Sequence, residues 1–431
     1  MSEQRRTLAF LFLLSVVTYL DRVNISITSP SIQTEFRLER VRMGMIFSAF
    51  VVGYTLFQVP AGWIGDRFGH KKSLTLALVW WSVFTAMSGW AGQGLLTTVA
   101  YLLPTFWIIR FLVGVGEAGA FPCANGIIGD SFTTQKRGLA AGVMFAGIGT
   151  GSAVTPPFVA WLVLHLGWRS AFYISAAIGL LLAICFHLWM PERSAPAASE
   201  HQFRSIPQRP KTPWALIFSN SQVWLLAISI FFFGYVTYVY YFWFFPYLVD
   251  IRKISLLRSS FFTAMPFLTM ALSAPLGGAL SDRLIPSIGK ASARRRVVMS
   301  GLIAAAILIP CGALIPSPYF AVACLSLAAG GVYLAISCYF AVATEIFPDY
   351  SATVSGAMNT GAGIGGIIAP ILTPWVAGRF GWVSALSLAG AFSLIAAILW
   401  KFIGLPDGPP AQSARVIEGV TGSAHGSLAQ S

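Results

Sequence analysis

Leu8 to Thr28 reads LAFLFLLSVVTYLDRVNISIT, an apolar run long enough to cross a bilayer that carries an adjacent acid and base, Asp21 and Arg22, inside it. A charge near the middle of a membrane costs about 2.5 to 3.5 kcal/mol on insertion scales, so such groups face an internal polar path and mark it. A second run, Phe106 to Phe121, reads FWIIRFLVGVGEAGAF and holds Arg110 and Glu117. Seven residues of helix return two side chains to one face about 10 Å apart. These four ionisable residues are the expected working centre. Span one rises from the side of the termini and span four descends toward it, so the rise per residue puts both pairs at overlapping depths.

Composition fixes the class of chain around that centre. Of 431 residues, 56% are hydrophobic and 10% are charged, and the mean hydropathy is +0.73. A soluble domain of this size needs far more charge on its outside, so the chain reads as a polytopic membrane protein. The net charge of +13 does not point to nucleic acid, because the basic residues sit between apolar runs, where membrane topology places them. The five cysteines fall within apolar runs without metal-type spacing, and no metal, cofactor or nucleophile constellation is legible, which argues against an enzyme. The amino-terminal stretch resembles a basic region followed by an apolar one, yet the run continues past signal-peptide length and reads as a retained span.

Twelve spanning runs are expected: 8–28, 43–63, 73–92, 104–127, 138–161, 168–190, 222–249, 257–281, 296–316, 318–342, 352–377 and 381–404. An even number leaves both termini on one side. That side collects most of the lysines and arginines, among them Arg5, Arg6, Lys71, Lys72, Lys136, Arg137 and Arg294 to Arg296, so both termini are expected in the cytoplasm. The fold class is therefore an all-α membrane protein. Residues 1–190 are expected as one six-helix bundle, 191–221 as a Pro- and Ser-rich cytoplasmic linker, 222–404 as a second six-helix bundle, and 405–431 as a disordered cytoplasmic tail.

Repetition ties the halves together. Gly62, Asp66 and Arg67 in AGWIGDRFGHKK recur at one constant displacement as Gly278, Asp282 and Arg283 in GGALSDRLIPSIGK. Gly142, Gly147, Gly149, Gly151, Pro156, Gly167 and Trp168 recur at a nearly equal one as Gly356, Gly361, Gly363, Gly365, Pro370, Gly381 and Trp382. Coincidence does not keep a register over two separate regions. The halves read as parallel repeats with a site between them near the membrane midplane.

The motif GxxxDRxGxKK, carried by Gly62, Asp66, Arg67, Gly69, Lys71 and Lys72, resembles the major facilitator superfamily. YLDRVNIS (Tyr19 to Ser26) together with RFLVGVGEAGAFP (Arg110 to Pro122) is similar to its anion:cation symporter family, which includes galactonate, hexuronate and glucarate permeases. That resemblance implies a major facilitator fold and a secondary active transporter that takes up a small organic anion, a sugar acid or another carboxylate, with protons by alternating access. In the proton-coupled members the carboxylates matching Asp21 and Glu117 take protons, and the arginines matching Arg22 and Arg110 engage the anion or couple it to those carboxylates. The tyrosine that lines the site in span two corresponds to Tyr54. Two positions depart from the family pattern: GVMFAGIGTGSAVTPP in span five lacks the glutamine of the galactonate-type site, and Gly363 stands where many members carry an asparagine.

Physical chemistry gives the four charges a job. Burial favours the neutral form of a carboxylate and a neighbouring guanidinium favours its charged form, and such opposed influences suit a group that must gain and lose a proton each cycle. Arginine keeps its charge and offers a planar fork of donors, so an anionic substrate and a carboxylate compete for it. Further substrate contacts are expected from Tyr235 and Tyr238 in the aromatic span seven and from Ser337 and Asn359 in spans ten and eleven. Asp66 and Asp282, at helix ends, are expected to gate by meeting the amino ends of the helices that start near Ser351 and Gly138, and Arg67 and Arg283 beside them are expected in the same gates. A proton-driven exporter, an organic phosphate exchanger and a membrane ligand sensor are the competing readings. Expected partners are the anion, protons and the lipid bilayer, with no nucleic acid, in a monomer of a bacterial inner membrane.

Overall fold

A computed structural model describes residues 3–93, 99–132, 134–190, 214–347 and 351–404. Most of the sequence expected to link the halves, 191–213, and the expected tail, 405–431, lie outside the described residues.

The first half consists of α1 (Glu3–Phe36), α2 (Arg40–Phe68), α3 (His70–Trp90), α4 (Val99–Glu117), α5 (Ala120–Ser131), α6 (Thr134–Leu166) and α7 (Trp168–Trp189). A short α8 (Trp214–Ser219) leads into the second half: α9 (Ser221–Pro246), α10 (Leu256–Ile288), α11 (Lys290–Leu314), α12 (Pro318–Leu334), α13 (Ile336–Ile346) and α14 (Ser351–Leu399). Among the described residues, 10 helical stretches are long and apolar enough to cross a membrane. Two adjustments bring these to the twelve expected. α14 is broken at Gly381, whose φ of 83° is left-handed and open to glycine at no steric cost, so it serves as two spans. α3 supplies the other, its mean hydropathy diluted by serines and tryptophans.

Helix ends outrun the apolar runs, because a run measures the hydrocarbon core whereas backbone hydrogen bonding continues into the polar interface. Thus α1 starts at Glu3 rather than near Leu8, and α11 starts at Lys290 rather than near Arg296. Spans four and ten are each split in two, at Ala118–Gly119 and at Ala335. Asn220 caps α9, its side chain accepting from the Gln222 backbone N–H at 2.8 Å.

The repeat seen in sequence is repeated in packing. α1 lies along α6, α2 along α4 and α3 along α7; α9 lies along the first part of α14, α10 along α12 and α11 along α14. Close approach is set by glycine. A methyl group at Gly53 would run into the Phe111 carbonyl, and one at Gly114 into the Phe50 carbonyl, so α2 and α4 touch backbone to backbone.

Between halves, α2 meets α14, α6 meets α10 and α1 meets α9. These contacts run from mid-bundle to the end away from the termini. Phe47 stacks on Phe242 at 4.8 Å, Ser48 Oγ donates to the Ile367 carbonyl at 2.6 Å, and Ser26 Oγ donates to the Phe242 carbonyl at 3.0 Å. An ion pair, Arg40 with Asp250 at 3.8 Å, closes the same end. Toward the termini the continuation of α2 is bare: Val59 is 79% and Trp63 55% exposed. The halves therefore meet at one end and part at the other.

Gly53→Val is expected to lower the stability of the detergent-solubilised protein by about 1 to 3 kcal/mol, as overpacking against a fixed backbone does, read as a fall in Tm. Gly69→Ala, at a turn with open space around it but φ at 92°, tests backbone strain without crowding and is expected to cost less.

Candidate functional site

Asp21, Arg110 and Glu117 are buried to 1%, 0% and 0% exposure, and Arg22 retains 12% on its side chain. Three charges lie inside the first bundle and one reaches its inner wall. Adjacent residues on a helix point about 100° apart, which sends Asp21 back toward α3 and Arg22 toward α4 and α2. The Arg22 guanidinium donates through Nε to Glu117 Oε1 in a close ion pair. Aromatic rings wall it: Tyr54 at 4.2 Å, Tyr19 at 5.0 Å, Phe50 at 5.6 Å and Phe121 at 5.9 Å from Cζ to the ring centroid. Such contacts contribute about 0.5 to 2 kcal/mol each and more when dry, so the rings hold the cation without competing for its donors.

Phe50 serves two cations. Arg110 Cζ sits 5.1 Å from the same ring. Among the described residues, none of the three Arg110 guanidinium nitrogens has a hydrogen-bond partner, and neither oxygen of Asp21 has one. Trp81 Nε1 lies near the Asp21 carboxylate without closing a hydrogen bond. Of two acid–base couples in one apolar enclosure, one is closed and the other open. A buried charge without a partner is expensive; Arg110 is within electrostatic reach of both Asp21 and Glu117, which offsets part of that cost, while the two carboxylates repel each other.

The remaining expected residues divide. Tyr54 is at the Arg22 guanidinium, and Tyr238 is within electrostatic range of it. Tyr235, three residues before Tyr238, turns into the second bundle, where its hydroxyl meets Thr373 Oγ1 at 2.9 Å and its ring packs against Phe392. Ser337 Oγ donates to the Ala274 carbonyl at 2.6 Å, tying α13 to α10. Asn359 is exposed on α14, on the side toward the termini. Arg67, Asp282 and Arg283 are exposed at helix ends, Arg67 lying over Trp63 at 5.2 Å. The Asp66 side chain and those of 351–353 lie outside the described residues, so the expected contact between them is not described.

Several residues of the site carry no signal that sequence reasoning used. Phe50 is one turn before Tyr54 and stacks on it at 5.9 Å; a four-residue step from a named tyrosine points to it. Tyr241 and Tyr333, whose hydroxyls are 3.2 Å apart, face Tyr19 across the seam, the rings of Tyr19 and Tyr241 being 5.9 Å apart. At the far end the Arg40–Asp250 pair crosses the halves, and only their juxtaposition gives it meaning.

Apolar helices in two six-span repeats make this a multi-pass membrane protein of a transporter architecture. The chain belongs to the Major Facilitator Superfamily, whose pattern matches residues 11–369 and 253–425. It is 31% identical over 409 residues to a probable sulfoacetate transporter of Cupriavidus necator, covering 92% of this chain and 93% of that one. It is 29% identical over 416 residues to a hexuronate transporter of Bacillus subtilis, covering 94% and 96%. Its fold matches the crystal structure of a bacterial homolog of the human lysosomal transporter Spinster with a TM-score of 0.77 at 21% identity, covering 94% of this chain and 97% of that one.

Glu117→Ala strands the Arg22 guanidinium in an apolar wall and is expected to cost about 3 to 5 kcal/mol, the range for breaking a buried pair. Arg40→Ala removes a half-exposed partner and is expected to cost at most about 1 kcal/mol. Denaturant unfolding in micelles compares them.

Proposed function

We propose that this protein imports a small organic anion together with protons across a bacterial inner membrane, with both termini in the cytoplasm. The observation that carries the reading is the state of the two couples: Arg22 closed on Glu117, Asp21 and Arg110 open, all four in one largely buried enclosure. Glu117 holds Arg22 while it is ionised. Protonation cancels that attraction and frees the guanidinium fork for a carboxylate or sulfonate arriving in the cavity. Asp21 and Arg110 form the second, inner couple through which the protonation state of one side of the enclosure is felt at the other.

Neutralisation is what permits movement. A bundle carrying an unpaired charge resists passing an apolar constriction, whereas a protonated carboxylate with an anion-paired arginine passes with no net charge exposed. The far-end contacts of Phe47, Phe242, Arg40 and Asp250 then exchange with a closure at the end of the termini, and the repeats rock about the fixed site. The names of the relatives, transporters of sulfoacetate and hexuronate, support an anionic cargo. The concentration of Lys and Arg beside the termini supports the orientation.

Reconstituted protein with an imposed inward proton gradient tests the coupling. Glu117→Gln is expected to lose gradient-driven accumulation to the level of empty liposomes while keeping exchange of labelled for unlabelled substrate. Asp21→Asn is expected to behave likewise. Accumulation by either variant at the unaltered rate would falsify its role as a proton carrier.

A further inference from the structure

Arg22 meets the anionic end of a substrate, and what surrounds it decides the kind of body that end is attached to. The first-half wall at the guanidinium is Tyr54, Tyr19, Phe50 and Phe121, all rings. Across the seam the facing surface is also rings: Tyr241 lies 5.9 Å from Tyr238 in a T-shaped contact and is backed by Phe267, stacked at 5.2 Å.

Much of the hydroxyl donor capacity around them is already spent, Thr55 Oγ1 and Ser326 Oγ being without a partner among the described residues. Tyr241 and Tyr333 bond to each other. Ser337 bonds to the Ala274 carbonyl, and Thr269 bonds to the Pro266 and Ser326 carbonyls. In the middle of α6, Thr150 bonds back to the Ala146 carbonyl at 2.9 Å. Its neighbour Gly149 faces Ala271, while on α14 Gly363 is filled by Thr55 and Gly366 by the Tyr238 ring. No side chain projects from these glycines. Asn359, the polar residue of α14 toward the termini, is one turn below Gly363 and exposed.

A polyhydroxylated acid needs a partner for each hydroxyl it buries, and every one left unpaired costs about 1 to 3 kcal/mol. Aromatic walls ask for the opposite: a flat body stacks face to face or edge to face with Tyr and Phe and needs no hydrogen bonds. We infer that the anion carried here has a flat, largely apolar body, an aromatic carboxylate or sulfonate rather than a sugar acid. The inference rests on the anion-transport reading above and adds to it the chemistry of the substrate's body. The guanidinium takes the acid group, Tyr54 and Tyr238 flank the ring, and their hydroxyls serve one polar substituent.

Thermal shift of the full-length protein in nanodiscs at constant ionic strength tests this with benzoate, phenylacetate and 4-hydroxybenzoate against D-gluconate, D-galactonate and acetate. The aromatic acids are expected to bind at least about tenfold more tightly than the polyol acids, the factor that one good ring contact supplies. Tyr238→Leu, which keeps a bulky apolar side chain without the ring, and Tyr238→Ser are expected to reduce that preference. Gluconate or galactonate binding as tightly as the aromatic acids, or a preference that survives both Tyr238 variants, overturns the inference and leaves the anion site standing. No shift with any of the six anions, together with Arg22→Gln behaving like the unaltered chain, overturns the anion site itself.

Discussion

The ion pair between Arg22 on α1 and Glu117 at the end of α4 is the contact on which the arrangement depends. It joins the first and fourth spans in the interior of an apolar bundle, where either charge alone is prohibitive. Everything near it is built to tolerate that charge: four aromatic rings around the guanidinium, a helix break directly after Glu117, and Phe50 between the two arginines. α4 and α5 are separated at Ala118–Gly119, so the first helix ends at the buried carboxylate.

Close packing and charge burial constrain each other. α2 brings Phe50 and Tyr54 to the arginines only because Gly53 and Gly114 let it lie directly on α4. A side chain at either glycine would push α2 outward, and a ring displaced by that amount falls outside the range at which it attracts a cation. The glycines at mid-bundle on α6 and α14 have a different role, being met by Ala271, Thr55 and Tyr238. Several of the glycines that recur between the halves therefore secure contact between elements and line no polar surface.

The two halves are alike in backbone and unlike in chemistry. Packing partners correspond helix by helix, but the buried ionisable cluster belongs to the first half, and the second half faces it with Tyr238, Tyr241 and Tyr333. Its own buried cation, Arg294, lies away from this wall, where it bonds to Glu345 at 2.6 Å beside Lys290. One half thus holds the charge and the other presents a surface.

Span number, the parallel repeat and the four midplane charges were legible in the sequence, because hydropathy and a charge inside an apolar run are local properties that survive without coordinates. Tyr54 came from the family resemblance, its distance along the chain from Asp21 and Arg22 picking out the position in span two. Tertiary structure alone decided which acid holds which base, since Arg22 closes on Glu117 ninety-five positions away while its sequence neighbour Asp21 points elsewhere. It alone separated Tyr235 from Tyr238, whose three-residue step spans enough rotation to send one into the bundle and the other to the seam. It also decided which end of the seam is shut, because contacts such as Ser48 with Ile367 and Arg40 with Asp250 join residues that no period or motif relates. Pairing between helices is a property of their mutual rotation and depth, and a linear pattern specifies the face of each helix but not the partner it turns to.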